Sequence, residues 1–306
     1  MSLTVVGSIA FDSVSTPFGE RERMLGGSAV HFALAASFFT TVHVVGPVGD
    51  DFGEEHVELL SSRGVDVTDI ERVAGGQTFY WRGHYAADLN VAHTDDTQLG
   101  VFADFEPKLS EASSRAEGLF LGNIQPDLQR RVRAQCESAR LTALDSMNLW
   151  IDTTRDSLIA AVGEVDCVLL NDAEVRMLTE EPNLARAARA LMDIGPRIVV
   201  AKRGEYGAVL FTADTSFALP GFLLEDVRDP TGAGDSFAGG FLGYLDMQGT
   251  ERLSDAALRR ALAYGTVLAS FNVEAFGTER VARLTEPEIA ERYEQLRAMT
   301  HFELGG

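Results

Sequence analysis

The stretch "DPTGAGDSFAGGFLGYL", Asp229–Leu245, places glycines and an aspartate directly before an apolar, helix-like run. Glycine tolerates positive φ and lets the backbone approach a ligand closely. The first N–H groups of a helix lack internal partners and lie at the positive end of the helix dipole. The stretch therefore predicts an anion-binding turn made by the amides of Gly232, Ala233 and Gly234, at the start of a helix.

The carboxylate of Asp235 follows this turn immediately. An acid in the first turn of a helix can act simply as a partner for the helix dipole. That explanation does not account for the glycines before it, or for the second acid, Asp229, about one turn earlier. The pattern favours a functional site in which a carboxylate lies beside a bound anion.

Two common phosphate-binding motifs do not fit the sequence. A P-loop requires Gly-Lys-Ser/Thr, and neither lysine of the chain, Lys108 or Lys202, follows a glycine. A dinucleotide fingerprint requires a further glycine where Phe237 stands, and a strand directly before the loop, where Asp229 and Pro230 stand. The sequence thus excludes Walker A chemistry and disfavours a nicotinamide-dependent oxidoreductase.

The amino-acid composition limits the kinds of molecule that the protein is expected to bind. The 306 residues are 45% hydrophobic, enough for a sizeable core, and their formal net charge is −20. That charge argues against binding to nucleic acid or anionic membranes. The apolar runs are shorter than the roughly 20 residues of a membrane span, and the N-terminus resembles a strand more than a signal peptide. Cys136 and Cys167 are isolated thiols, typical of a reducing compartment. We expect a cytoplasmic protein.

Strand-like and helix-like runs alternate along most of the chain. "LTVVGSIA" precedes "GGSAVHFALAASFF", "DCVLLN" precedes "DAEVRMLTE", and the last third is mostly helix-like. Such alternation predicts an α/β fold with a mostly parallel sheet covered by helices on both faces. No linker divides the sequence, so we expect a single domain over residues 1–306.

The segment "GGQTFYWRGHYAADLNVAHT" interrupts this alternation with a period of two, which indicates strands. We predict a small β lid formed by residues of about 75–95 and by an N-terminal segment of about 12–22. The alternative is an ordinary edge hairpin whose aromatic side chains only pack. A lid of this kind could also pair two copies of the chain into a homodimer.

The sequence resembles a known family, the ribokinase-like (PfkB) carbohydrate kinases. "DPTGAGDSFAGG" is similar to the family signature DTxGAGD apart from Pro230, and four further motifs carry the resemblance: "GSIAFD", "GGSAVHFA", "NDAEV" and "KRGEYGA". The resemblance implies a three-layer α/β/α ribokinase-like fold. It also implies an ATP- and Mg²⁺-dependent enzyme that phosphorylates a hydroxyl of a small sugar.

By this resemblance Asp235 is the general base, and Gly232, Ala233 and Gly234 form the anion hole. An ordinary aspartate has a pKa of about 3.9, so it is ionised at pH 7 but too weak to deprotonate an alcohol in advance. Proton transfer should therefore come late, in a loose transition state whose charge the turn amides stabilise.

The nucleotide and its cations are expected to contact a second group of residues. The resemblance assigns to them Asn171, Glu174, Lys202, Gly204, Gly207 and Thr231. Glu174 would hold Mg²⁺ through water, although NxxE is also the pattern of a simple helix N-cap. Lys202 suits a phosphate contact or a solvated surface position equally. Asp229 and Thr231 are candidates for a monovalent cation such as K⁺, as in some relatives.

Substrate contacts are expected from Asp12, Gly26, Gly27, His31, Asn123 and Asp229. Short carboxylates and backbone amides hold hydroxyl groups well. We place Asp12 at the end of the first strand, where it is either a ligand or a turn acid. His31 stands where most sugar kinases of the family have Asn, and it is either a packed core residue or a substrate contact.

Further substrate candidates lie in the predicted lid. They are Tyr80, Arg82, His84 and Asn90. Phe11 and the aromatic residues of the lid either stack on a nucleobase or simply pack. The sequence as a whole favours a sugar kinase. A nucleoside kinase of the same family and a ligand-binding regulator without turnover are the alternatives.

Overall fold

Two β-sheets organise the chain. The computed structural model describes residues 2–87, 89–249 and 253–301. The strands are β1 (Ser2–Val6), β2 (Ala10–Thr16), β3 (Gly19–Gly26), β4 (Thr41–Val48), β5 (Val65–Asp66), β6 (Ile70–Arg72), β7 (Phe79–Tyr85), β8 (Ala92–Gln98), β9 (Gly118–Leu121), β10 (Leu141–Leu144), β11 (Cys167–Asn171), β12 (Ile198–Lys202), β13 (Ala208–Phe211) and β14 (Ser216–Leu219).

Helices cover the larger sheet. They are α1 (Ser28–Ala36), α2 (Glu54–Ser62), α3 (Glu111–Ser114), α4 (Pro126–Gln135), α5 (Asn148–Thr153), α6 (Arg155–Val162), α7 (Asp172–Thr179), α8 (Leu184–Ile194), α9 (Ala233–Gln248), α10 (Asp255–Asn272), α11 (Glu279–Ala282) and α12 (Glu286–Thr300). The last third is mostly helical, as predicted. Among the described residues, no helix is both long and apolar enough to cross a bilayer.

The main sheet has the strand order β14-β13-β12-β11-β10-β9-β1-β4-β5, and β6 also pairs with β4. The pairings from β12 to β5 are parallel, whereas β13 pairs antiparallel with both β12 and β14. Parallel strands need crossover connections, and the helices between them provide these connections. This confirms the predicted mostly parallel sheet.

Alternate residues of the central strands face two separate hydrophobic layers. Val5 and Leu169 pack with α1, α9 and α10 on one face, whereas their neighbours Val6 and Leu170 pack with α4, α6, α7 and α8 on the other. A strand buried on both faces reads as a continuous apolar run, as these strands do. The three-layer α/β/α architecture is confirmed.

The second sheet has the order β3-β2-β7-β8. It combines both segments that were predicted to form the lid, with β2 parallel to β7 and the other pairings antiparallel. We define its inner face as the side that carries Asp12, Trp81 and Tyr85, because alternate residues of a strand share one face and Asp12 is the register partner of Trp81.

The position of Asp12 differs from the prediction. The first strand ends at Val6, and Asp12 lies in β2 of the second sheet. The chain leaves the main sheet because Ser8 is bound to the start of α1: its carbonyl accepts from the N–H of Ala29 at 3.0 Å, and its hydroxyl accepts from the N–H of Ser28, also at 3.0 Å. One long apolar stretch therefore supplies strands to two sheets.

We expect Gly239→Val to lower the free energy of unfolding by about 1–3 kcal/mol, because overpacking forces neighbours apart. A Cβ at Gly239 would lie 2.4 Å from the carbonyl oxygen of Phe32, where α9 crosses α1. Urea denaturation measures the change. Gly163→Ala is the control, since the nearest atom to a Cβ there is at 3.5 Å; equal losses in the two variants would contradict the close approach of the helices.

Candidate active site

Polar residues gather at the carboxyl ends of four neighbouring strands. Asn171 and Lys202 end β11 and β12, while Asn123 and Asp145 follow closely after β9 and β10. In open α/β sheets ligands bind at this edge. The N-terminus of α9 meets the same edge, since the Nζ of Lys202 is 3.0 Å from the position of a Cβ on Gly234.

Asp229 shapes the glycine turn. One of its carboxylate oxygens accepts from the N–H of Thr231 at 2.9 Å, and the other accepts from the N–H of Gly277 at 2.9 Å. The side chain is completely buried, and burial raises its pKa despite these hydrogen bonds. Its contacts in the structure thus organise the turn, and its expected contacts with substrate and a monovalent cation stay predictions.

Gly232 is the N-cap of α9, in the left-handed conformation with φ of 75°. A Cβ at this position would lie 2.4 Å from three atoms of the His31 ring. The glycine is therefore required both by its backbone conformation and by the imidazole ring packed against it.

The anion hole differs in one detail from the prediction. The N–H of Ala233 donates to the carbonyl of Pro230 at 3.2 Å and so already has a partner inside the turn. Gly232 carries no side chain that could cap the following amides, and no side-chain cap bonds to this end of α9. The N–H of Gly234 and the helix dipole are the features that suit an anion here.

His31 is a buried core residue that supports the turn. Its Nδ1 lies 3.0 Å from Oδ1 of Asn272, and the Nδ2 of Asn272 donates to the carbonyl of Thr231 at 2.7 Å. The hydroxyl of Ser236 donates to the same Oδ1 at 3.0 Å. Burial lowers the pKa of His31 to about 4, so the ring is neutral at pH 7. The Nε2 atom is buried without a protein partner among the described residues.

Asp235 lies in the first turn of α9, as predicted, but its acidity is not that of an ordinary aspartate. Burial raises its pKa to about 7, and the charge of Asp145 adds to this effect, while Lys202 opposes it. A carboxylate with a pKa near the working pH is a better general base than one with a pKa near 4. The sequence-based assumption of an unperturbed aspartate is therefore corrected.

The side chain of Lys202 is held in a buried ion pair rather than in solvent. Its Nζ lies 2.5 Å from Oδ2 of Asp145, and the two side chains are 16% and 7% exposed. Burial lowers the pKa of Lys202, but Asp145 and Glu174 outweigh this effect and raise it, so the ammonium is charged at pH 7. The structure thus places one fixed positive charge beside the anion-binding turn.

Asn171 and Glu174 form a reciprocal capping box at the start of α7. The Oδ1 of Asn171 accepts from the N–H of Glu174 at 2.8 Å, and Oε2 of Glu174 accepts from the N–H of Asn171 at 2.8 Å. The N-cap interpretation is correct in this structure. Burial, and then the charge of Asp145, raise the pKa of Glu174. No group of three or more potential metal ligands is found in the described parts of the chain.

The substrate candidates Asp12, Gly26 and Gly27 lie together. A Cβ at Gly26 would lie 2.0 Å from Oδ2 of Asp12, and the N–H of Gly27 donates to the same carboxylate. Burial, followed by the charge of Asp229, raises the pKa of Asp12 to about 7. The glycine pair thus makes room for the carboxylate, which lies within electrostatic reach of Asp235.

The remaining candidates occupy the rim of the site. The Oδ1 of Asn123 accepts from Nε1 of Trp150 at 2.9 Å, which orients the amide. Gly204 and Gly207 adopt positive φ in the turn between β12 and β13. A Cβ at Gly204 would lie 2.7 Å from Oδ1 of Asn90, so the loop after β7 reaches the predicted nucleotide turn.

Three of the lid candidates lie on the face of the second sheet that is opposite Asp12. Tyr80, Arg82 and His84 alternate with the inner-face residues; Arg82 bonds to Glu20 and Glu22 at the surface and His84 to Asp95. Phe11 shares their face and packs in the core, with its ring centroid 6.1 Å from that of Phe52. Strand alternation was visible in the sequence, but nothing in it showed which set faces inward.

Two residues in the site, Asp145 and Asn272, were missed by the sequence analysis. Asp145 carries a weak signal, an acid directly after a buried strand. The sequence gives no signal for Asn272, because this residue ends a helix that is far in sequence from the glycine turn. The phenol oxygen of Tyr85 accepts from Oγ1 of Thr231 at 3.1 Å, and only the fold brings these two together.

Comparison with known proteins agrees with this geometry. The model of the pfkB family carbohydrate kinases matches residues 3–283, and the chain belongs to this family. It is 31% identical to the cytidine kinase of Thermococcus kodakarensis, covering 85% of this chain and 95% of that protein. It is 27% identical to the nucleoside kinase of Methanothermobacter thermautotrophicus, covering 90% and 91%.

A solved structure shares the fold. A ribokinase II from E. coli, solved with ATP and Mg²⁺, superposes with a TM-score of 0.77 at 18% identity, covering 96% of this chain and 99% of that one. The ribokinase-like fold is thereby confirmed, and the enzyme class is that of the family, a kinase.

We expect Lys202→Met to lower kcat by about 100- to 1000-fold, the usual cost of removing one preorganised donor to developing charge. Steady-state assays of ADP formation measure it. Lys108→Met is the matched control, because Lys108 is the other lysine of the chain and is exposed in the loop before α3. Equal, small effects of the two substitutions would contradict a role for Lys202 in phosphoryl transfer.

Proposed function

We propose that the protein transfers the γ-phosphoryl group of ATP to a hydroxyl group of a nucleoside. The observation that carries the proposal is the position of Asp235, a carboxylate with a raised pKa beside the uncapped start of α9 and the charged Lys202. A base, an amide donor and a cation that converge on one point are the groups that phosphoryl transfer needs.

Each residue has a defined task in this proposal. Asp12 accepts hydrogen bonds from the sugar hydroxyls and orients the acceptor. The acceptor oxygen attacks the γ-phosphorus as its O–H proton passes to the carboxylate of Asp235, and the bond to the ADP oxygen breaks. The N–H of Gly234 and the ammonium of Lys202 stabilise the negative charge of the transferring group.

Mg²⁺, when bound with ATP, neutralises phosphate charge. Glu174 and Asn171 are the residues proposed to hold it, and the carboxylate of Glu174 beside that of Asp145 is a suitable oxygen donor. Because Mg²⁺ keeps several waters and is bound by one or two carboxylates plus phosphates, contact through water fits these residues. Rates in K⁺ and Na⁺ would test the predicted monovalent-cation site.

A nucleoside is proposed in preference to the free sugar that the sequence favoured. Two relatives that match most of the chain are named cytidine kinase and nucleoside kinase. In addition, the inner face of the second sheet presents Trp81 and Tyr85 toward the region of Asp12 and Thr231. The test is ADP release with a panel of nucleosides, ribose, ribose 1-phosphate and hexoses.

Asp235→Asn is expected to cut kcat by about 10²- to 10⁴-fold, the usual contribution of a general base, while the thermal unfolding transition is retained. The variant keeps the shape of the side chain and removes its basicity. Turnover within a few-fold of the wild-type rate would contradict the role of Asp235. Tight nucleoside binding without ADP release by the wild-type protein would instead indicate a regulator.

The pH dependence follows from the raised pKa of Asp235. The base must be ionised, so kcat/KM should rise with pH up to about 7 and level off above it, since this ratio reports the free enzyme. An unperturbed aspartate would place the same rise near pH 4. Initial rates from pH 5 to 9 in buffers of constant ionic strength distinguish the two cases.

A further inference from the structure

An indole ring, that of Trp81, packs against the inner face of the second sheet. A Cβ at Gly83, two residues after Trp81 on β7, would lie 2.3 Å from Cζ2 and 2.4 Å from Cη2 of the Trp81 ring. The ring therefore crosses its own strand directly over Gly83. Any other residue at position 83 would push the ring away from the sheet.

The ring is also fixed at its polar edge. Its Nε1 donates to Oγ1 of Thr94 at 3.1 Å, and Thr94 is the register partner of Gly83 on the neighbouring strand β8. The edge of the indole that carries Nε1, Cζ2 and Cη2 is thus held against the sheet, while the side chain remains partly exposed. An oriented aromatic surface of this kind can stack against a planar ligand with little loss of side-chain entropy.

The indole lies next to the substrate residues. Asp12 is the register partner of Trp81 on β2, and Tyr85, four residues further along β7 on the same face, contacts Thr231 of the catalytic turn. A ligand whose hydroxyls bind Asp12 and approach Asp235 therefore extends past the indole. A free pentose is too small to use both features at once.

The charges around this space suit an uncharged ligand. Asp12, Asp229 and Asp235 are close enough for each to influence the buried phenol of Tyr85, whose pKa is raised by burial and by these charges. The nearby cation Lys202 is paired with Asp145. Carboxylates accept hydrogen bonds from hydroxyls and repel anions, so a sugar phosphate or sugar acid fits this space poorly.

We propose that Trp81 is the specificity-determining residue that stacks on the base of a nucleoside whose ribose hydroxyls bind Asp12. Gly83 and Thr94 are the positioning residues that hold the indole in its place, Gly83 by leaving room for the ring and Thr94 by accepting from Nε1. The inference rests on the proposed nucleoside kinase function and adds to it the residue that distinguishes a nucleoside from a free sugar or a sugar phosphate.

Calorimetric titration without ATP tests the inference independently of turnover. The probes are the four common ribonucleosides, cytidine first, and ribose. Loss of base stacking costs roughly 1–3 kcal/mol, so Trp81→Leu should weaken nucleoside binding by about 10- to 100-fold and leave ribose binding unchanged. Trp81→Phe should retain most of the affinity, because the phenyl ring still stacks.

Two further variants keep the test independent of how well Trp81→Leu folds. Gly83→Ala retains the tryptophan but displaces its ring, so it should also weaken nucleoside binding while ribose binding is kept. His84→Ala is the matched control, since His84 lies on the opposite face of the same strand, paired with Asp95 at the surface. It should leave both affinities unchanged.

The outcomes separate the two proposals. Nucleoside affinity that is the same in wild type, Trp81→Leu and Gly83→Ala overturns the stacking role, even if the enzyme phosphorylates nucleosides. Nucleoside affinity that falls in both variants supports it, even if no ADP is released and the proposed kinase activity fails. Absence of nucleoside binding by the wild-type protein overturns the inference directly.

Discussion

The packing of Gly232 on the ring of His31 is the contact on which the site depends. The glycine has φ of 75°, and a Cβ would lie 2.4 Å from the imidazole. The ring is held in turn by Asn272, which also binds the carbonyl of Thr231. The start of α9 is thereby fixed against α1 and α10, and the N–H of Gly234 cannot move independently of the core.

The second constraint is electrostatic. Asp12, Asp145, Glu174, Asp229 and Asp235 lie within a small, buried region with Lys202. Water cannot screen these charges well, so Asp145 makes the ionisation of Asp235 and Glu174 less favourable, and Asp229 does the same for Asp12. The arrangement raises the pKa of Asp235, the proposed general base, to about 7, and in the proposed function Mg²⁺ and the ammonium of Lys202 balance the negative charge.

The two sheets carry different groups of the proposed site residues. The main sheet aligns Asn171 and Lys202 at the ends of strands whose preceding residues are buried. The second sheet carries Asp12 on the buried strand β2, and Trp81 and Tyr85 on the partly exposed strand β7. In the proposed function, phosphoryl transfer is assigned to the first sheet and choice of acceptor to the second.

Local signals in the sequence were sufficient to determine the α/β class, the glycine turn at the start of α9, the capping motif at Asn171 and the family. Each of these depends on residues close together in the chain, such as the run around Gly232 or the period of two around Trp81. The structure differs from the predictions where segments that are distant in sequence meet. Asp12 was assigned to the wrong strand because the bonds from Ser8 to the start of α1 turn the chain out of the main sheet.

Only the tertiary structure decided which side chains share the site and what their charges do. The ion pair of Lys202 with Asp145, the support of the turn by Asn272, and the choice of Trp81 and Tyr85 over Arg82 as inner-face residues all join segments far apart in sequence. The pKa of Asp235 belongs to the same group, because it depends on burial and on neighbours that only folding brings near. The sequence by itself determined the elements and the motif, and the packing of those elements determined the chemistry.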